Sequence, residues 1–416
     1  MTRIAALQFA PAPTRSVIRE NVVALAGCAL LVAALFFSGC SSVASRKSPP
    51  QPGRTTLRAP LVILPAQSIG NFLLVETKWD RFGPSRFLVD TGSSVTLVTP
   101  ALARRYPGRE VIPATAPRVR VTGADGGITE LPQGSLRRLE LGDAHFEDVP
   151  VLLYDCAPLS AHLGVRIDGV LGFPLFRETV LTLDYPGTRL LLQSARTAAL
   201  EPGTTVPFDD ARKTPLIPVQ VGDRSLVALI DSGSDAAFML NPVGLAPKFY
   251  FGPTRGATIG TIGGDRVQTI GRLAETISIG GHTFDQPIVD LTDELSSIGG
   301  GTLRHFTVSF DQLHNRVTFF RNAGGPIVTG ARRSAGVSFT KTPAYWRVAG
   351  IIPTSSAERE GIQPGDLVIR INGESVARWD LRRYDELVTS AGEISFTFLN
   401  GNSETERRVT VFDLVP

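Results

Sequence analysis

The chain has 416 residues, an apolar share of 43% and a formal charge of only +3, which suits two or three ordinary globular domains. The small basic excess is spread along the chain without interleaved aromatics, so nucleic acid is not an expected partner. The five histidines, His145, His162, His282, His305 and His314, show no paired ligand spacing, and neither a metal nor a cofactor is expected.

At the amino terminus, Arg3, Arg15 and Arg19 precede an uncharged run from Asn21 to Phe37, which ends in Phe37-Ser38-Gly39-Cys40. A basic head, an apolar stretch and small residues describe a secretory signal. Small residues before a Cys resemble the lipobox of bacterial lipoproteins, with Phe37 where Leu is usual. That resemblance implies a signal peptide over 1–40, a lipid on Cys40, and a protein anchored in the bacterial cell envelope facing the periplasm. An uncleaved amino-terminal helix and plain secretion are the alternatives. Cys28 lies in the apolar run, so Cys156 is left alone in the mature part and no internal disulfide can form. No His-bearing motif accompanies Cys156, and it reads as a small buried hydrophobe rather than a nucleophile.

Residues 41–60 are rich in Ser, Pro, Arg and Lys without apolar periodicity, and read as a flexible tether. From Leu61 to Arg321, short β-branched or aromatic runs alternate with Gly, Pro, Asp and Asn, which predicts a mainly β region. The clearest strands are Leu61 to Leu64, Phe72 to Thr77, Phe87 to Val89, Val149 to Leu153, Val180 to Leu183, Leu190 to Leu192, Val219 to Val221, Val227 to Ile230 and Val317 to Phe320; Ala101 to Tyr106 is a short helix candidate. Asn322-Ala323-Gly324-Gly325-Pro326 marks a linker. Beyond it, strand candidates Val348 to Ile352 and Leu367 to Ile371, a helix candidate from Asp380 to Ser390 and a closing strand pair suggest a compact α+β module.

Within the β region the text repeats. Phe87-Leu88-Val89-Asp90-Thr91-Gly92-Ser93 matches Ala228-Leu229-Ile230-Asp231-Ser232-Gly233-Ser234, 141 residues later. Val170-Leu171-Gly172, Leu183-Asp184 and Arg189 recur as Ser297-Ile298-Gly299, Phe310-Asp311 and Arg316, each 127 residues on. Between these ends lie glycine-rich hairpin candidates, Gly123-Ala124-Asp125-Gly126-Gly127 and Gly260-Thr261-Ile262-Gly263-Gly264. The matched turns Leu141-Gly142-Asp143 and Ile279-Gly280-Gly281 follow. The chain is therefore expected to hold two copies of one β unit, each presenting one Asp at a strand end.

Two such loops meeting across a pseudo-twofold axis would set Asp90 beside Asp231. Adjacent carboxylates cannot both ionise, so they share a proton and titrate as a unit. Such a pair can deprotonate a water and protonate a carbonyl. These residues resemble aspartic proteases of the pepsin and retropepsin type, over roughly 61–321. The resemblance implies two tandem acid-protease-like β lobes, 61–195 and 196–322, with Asp90 and Asp231 as catalytic dyad. It also implies that Thr91 and Ser232 bond across to the opposite loop, that Gly92, Ser93, Gly233 and Ser234 support the dyad, and that flaps at Gly123, Gly126, Gly127, Gly260, Gly263 and Gly264 close on a peptide. A hydroxyl from Ser93 or Ser234 on the outer carboxylate oxygen would lower the titration range, giving an acidic to mildly acidic optimum. Asp184 and Asp311 read as turn residues, and the 7% of aromatic residues offers no sugar-stacking platform for a paired-carboxylate glycosidase.

Ala357-Glu358-Arg359-Glu360-Gly361-Ile362-Gln363-Pro364-Gly365-Asp366-Leu367-Val368-Ile369-Arg370-Ile371-Asn372-Gly373 resembles a bacterial PDZ domain, over about 336–416. That resemblance implies strand addition of an extended peptide and capture of its terminal carboxylate. The family's Gly-Leu-Gly-Phe loop is missing, its place before Val348 being taken by Pro343-Ala344-Tyr345-Trp346, and a purely structural cap is the other reading. The expected partners are thus a protein or peptide substrate, a C-terminal peptide ligand and a membrane. The rival expectation is a non-catalytic peptide-binding envelope lipoprotein.

Overall fold

Short runs of β-branched and aromatic residues between turn formers should give strands, and the computed structural model is mainly β. It describes residues 53–79, 82–105, 116–123, 126–198, 202–261 and 264–416. The apolar amino-terminal run with Cys28 and Cys40 lies outside these residues, as do Tyr106 and the two hairpin tips at 124–125 and 262–263. Among the described residues no helix is long and apolar enough to cross a membrane.

The end of the stretch expected to be a tether, 41–60, is structured, while 41–52 lie outside the described residues. Thr55–Leu57 is a strand paired antiparallel with Ala144–Phe146, flanked by a bond from Gly53 N to Glu147 O of 2.8 Å. Two threonines and a leucine suffice for an edge strand, yet three residues are too few to show alternation.

Six strands join the two repeats in one sheet, in the order Thr204–Pro207, Arg316–Phe320, Thr307–Asp311, Thr179–Asp184, Arg189–Ser194 and Leu61–Ile69. At its centre Val180 faces Asp311, Thr182 faces Ser309 and Asp184 faces Thr307, antiparallel. Moving the first strand on by the repeat offset of 127 yields the second, so this register maps onto itself. A local twofold therefore runs between Thr182 and Ser309, whose hydroxyls bond at 2.8 Å. Leu181, Leu183, Val308 and Phe310 are fully buried beside it, and each such side chain contributes about 1.5–3 kcal/mol. Asp184 and Asp311 act as turn residues: Asp184 accepts from Gly187 N and Arg189 Nε, Asp311 from His314 N and Arg316.

Each repeat folds the same way above this sheet. Phe82–Asp90 pairs in parallel with Gly169–Gly172, which pairs antiparallel with Thr96–Val98. In the second repeat Arg224–Asp231 pairs in parallel with Ser297–Gly299, which pairs antiparallel with Phe238–Leu240. A short helix, Pro100–Arg105, follows the first Asp strand. Both turns at Gly142 and Gly280 are tight hairpins, joining Ile128–Leu141 to Ala144–Leu153 and Ile277–Ile279 to His282–Asp285.

The second repeat's sheet runs past the linker, since Ile327–Val328 pairs in parallel with Phe284–Asp285. The carboxyl-terminal sheet then takes the order Val337–Lys341, Trp346–Ile351, Leu367–Ile371, Glu393–Asn400, Ser403–Thr410. Helix Leu381–Ser390 is capped by Asp380, whose carboxylate accepts from Arg383 N at 2.8 Å, and it lays Tyr384 on Phe339 and Trp346. Asn372-Gly373 forms the expected hairpin turn, both residues with positive φ. The edge strand beside the helix is Val337–Lys341. Pro343 to Tyr345 belong to the turn between those two strands, with Thr342 N bonded to Tyr345 O at 2.9 Å, so they do not replace a carboxylate loop.

Candidate active site

Both Asp strands end in register with a glycine, Asp90 opposite Gly172 and Asp231 opposite Gly299. The loops that follow are tied to each other by exchanged hydroxyls. Thr91 Oγ1 donates to Ile230 O at 2.7 Å and accepts from Ser232 N at 3.0 Å. Ser232 Oγ donates to Val89 O at 2.8 Å and accepts from Thr91 N at 3.0 Å. Both hydroxyls are wholly buried, so each of the four bonds satisfies a group that would otherwise be orphaned.

This lock brings the carboxyls together. Asp90 Oδ1 accepts from Gly92 N at 2.8 Å and Asp231 Oδ1 from Gly233 N at 2.9 Å. Each glycine faces the other loop's acid: a Cβ on Gly233 would fall 2.6 Å from both oxygens of Asp90, and one on Gly92 would fall 2.6 Å from Asp231 Cγ. Glycine is required here by close approach and not by backbone twist, because neither residue has positive φ. The two carboxyls are hydrogen-bonded to one another. Burial, the charge of Asp231 and that bond hold Asp90 well above the usual carboxylate range. Burial also raises Asp231, against the bond from Asp90 and the Gly233 N–H, which lower it. Burial thus raises both acids, and the pair holds one proton between its two carboxyls.

Ser93 and Ser234 do not contribute as expected. Ser93 Oγ donates to Val95 O at 2.8 Å, and Ser234 Oγ faces Met239 Sδ and accepts from Ala236 N. A serine hydroxyl reaches backbone two residues on more readily than a carboxylate across the loop. Among the described residues no hydroxyl lowers either carboxyl, and burial replaces the expected lowering of the titration range by a rise.

The glycine-rich segments are hairpins. Arg118–Thr122 pairs with Ile128–Leu141, and Gly123 N bonds Gly127 O at 2.8 Å while Gly126 N bonds Gly123 O at 3.1 Å. Phe249–Thr261 pairs with Gly264–Leu273 and includes Gly260 and Gly264, while Gly263 lies outside the described residues. Each hairpin reaches the opposite repeat. Gly126 lies against the Glu294 carboxylate, and Gly260 against the ring of His162, whose Nε2 stands 2.9 Å from Asp265 Oδ1.

Several residues at the site carry no sequence signal of their own. Asp235, four residues beyond Asp231, accepts from Asn71 N at 2.8 Å, and Asn71 Nδ2 donates to Asp235 O at 2.9 Å. Its counterpart in the first repeat is Ser94, and that break in the repeat is the one available clue. Buried Tyr185 is near enough for Asp231, Asp90 and Asp235, after burial itself, to push its phenol up. Cys156 is buried, with its thiol pushed up to about 12 by burial, which suits a packing residue and not a nucleophile.

Residues 80–175 match the family model described as "Aspartyl protease", and residues 347–398 match one described as "PDZ domain". No curated protein matches the chain. Among solved structures, the chain is similar to a PDZ domain protein from Parabacteroides distasonis ATCC 8503, at 24% identity with a TM-score of 0.18. That match covers 20% of this chain and 21% of the other, about a fifth of each. The chain thus carries an aspartyl protease domain that includes Asp90 and, carboxyl-terminal to it, a PDZ domain.

Proposed function

We propose that the protein is an aspartic endopeptidase in which both repeats act as protease lobes, 61–195 and 196–322, and Asp90 and Asp231 form one dyad. The observation that carries this reading is the reciprocal bonding of Thr91 and Ser232 that sets the two carboxyls in contact around one proton. A water bound between the carboxyls loses a proton to ionised Asp231 as its oxygen attacks the amide carbon. Protonated Asp90 gives its proton to the carbonyl oxygen, producing a neutral diol. In the return step one diol hydroxyl passes its proton back to Asp90 as Asp231 protonates the amine and the C–N bond breaks, so the dyad regains its single proton.

The hairpins at Gly123 to Gly127 and Gly260 to Gly264 serve as flaps over an extended peptide. The PDZ domain, 336–416, offers the edge of Val337–Lys341 beside helix Leu381–Ser390 to such a chain, and Gly336, with φ of 78°, turns the backbone at the start of that edge. We assign Cys40 as the lipidation site of an envelope protein facing the periplasm. Replacing Cys40 by Ala should then move the protein from the membrane fraction to the soluble fraction, and an unchanged distribution would remove the anchor.

The test of the reaction is cleavage of an unfolded protein followed by mass spectrometry. Pepstatin-sensitive cuts should appear with the parent and vanish in Asp90→Asn and in Asp231→Asn. Peptide binding without any cuts would make the protein a binding lipoprotein instead.

A further inference from the structure

The second hairpin is held at three heights, and the carboxyl-terminal domain takes part in each. At its base Ile270 is buried with Ile288, Ile352, Leu414 and Val415, one apolar cluster shared by hairpin, second repeat and PDZ domain. Arg272 beside it donates to the carbonyls of Pro416, Gln286, Thr329 and Gly330. Halfway up, a register shift between Arg255 and Thr258 breaks the ladder, and Thr258 N donates to Ser338 Oγ at 2.9 Å. Ser338 is paired across the PDZ sheet with Gly350, where an added Cβ would collide with the Thr258 side chain. Near the tip, Gly260 and Asp265 rest on His162 of the first repeat, and the carbonyl of His162 accepts Lys341 Nζ at 2.8 Å.

The chemistry of these supports differs with height. The base is buried, with Arg272 bonded four times beside its apolar cluster, whereas the contacts at Thr258, Asp265 and Lys341 are single hydrogen bonds between polar groups that water can replace. A two-stranded ribbon is marginally stable without such support. A buried, multiply held pivot below and exchangeable polar bonds above are what a hinge with a catch requires.

We propose that the PDZ domain is a latch on the second hairpin: docked through Ser338, Gly350 and Lys341, it holds the hairpin down on His162, and undocking lets the hairpin swing about the Ile270 cluster to admit substrate. This rests on reading the two repeats as a protease. An extended peptide that disturbs the Val337–Lys341 edge would thereby raise cleavage, because that strand carries both Ser338 and Lys341.

Two opposed variants of the full-length protein test it. Gly350→Leu places a wedge on the outer face of the PDZ sheet against Thr258. Thr258→Cys with Ser338→Cys forms a reducible tether, for which buried Cys156 does not compete. The wedge should speed hydrogen exchange over 254–261 about tenfold while the pairing of 367–371 keeps its protection, and should raise kcat/KM several-fold. The oxidised tether should slow both, with reductant restoring them. Parent-like exchange over 254–261 in a folded wedge variant overturns the latch, as does undiminished cleavage by the oxidised tether. Should no member of the series cleave, the protease reading falls, and exchange alone decides the latch.

Discussion

The two repeats present the same loop, yet the loops are not equivalent. Asp90 and Asp231 sit in matching registers, accept from matching glycines and are locked by matching hydroxyls. Their surroundings differ. The second loop continues into Asp235, bonded twice to Asn71 of the first repeat, where the first loop has Ser94. The first repeat supplies helix Ala157–Leu163 beneath the opposite hairpin tip, while the second supplies Glu294 at its counterpart. Symmetry builds the acid pair, and departures from it set what supports each loop and each hairpin.

The largest expected effects test the symmetric part. Asp90→Asn and Asp231→Asn should each lower kcat/KM by about 10³-fold or more. Retained cleavage by either would mean that one repeat suffices. Both variants should still fold, because an amide at either position can donate to the remaining carboxyl. Gly92→Ala and Gly233→Ala should each cost about 10²-fold in rate by pushing the opposite carboxyl aside, and an active Gly233→Ala protein would refute the close approach.

Thr91→Val and Ser232→Ala each remove two of the four bonds of the lock, one pair from each side, and should destabilise by similar amounts, about 2–4 kcal/mol in urea titrations. A wide disparity would show that the lock is one-sided.

The pH dependence follows from the burial of the pair. A raised Asp90 favours the fold fully below the ordinary carboxylate range, and that contribution is lost as pH climbs through its raised value. Asp90→Asn should therefore gain on the parent in melting temperature as pH rises through this window and keep pace with it below. The alkaline limb of the pH-rate profile should fall where the pair loses its shared proton, above the range of an ordinary Asp. The smallest effect is expected at Lys341, whose ammonium is pushed down to about 8 by burial. Between that value and the ordinary lysine range the parent should gain about 1–2 kcal/mol on Lys341→Met as pH rises, and parallel stability curves would contradict it.

The acid pair was legible because duplication writes it twice, with its supporting glycines and turns at constant spacing. The mainly β character followed from Leu61–Ile69 and its like, whose alternation leaves Val62 and Leu64 buried with Leu61 and Ile63 exposed. What was not legible depends on residues far apart in sequence. Asn71 and Asp235 are 164 residues apart, Lys341 and His162 are 179, and Thr258 and Ser338 are 80. Such polar contacts have no period and no motif. Ser93 and Ser234 were misjudged for the opposite reason, since their hydroxyls satisfy backbone close by. Pro343 to Tyr345 read as the place of the carboxylate loop, whereas they turn between Val337–Lys341 and Trp346–Ile351, two strands of which the sequence showed only the second.

The central claim is that one proton is shared between acids from two repeats. Carbon-13 titration of aspartate-labelled protein, with Asp90→Asn and Asp231→Asn as assignments, measures it most directly. One carboxyl should stay protonated well above the ordinary range and return toward it when the other is replaced by Asn. Two independent titrations at ordinary carboxylate values, each indifferent to the other's replacement, would contradict the account.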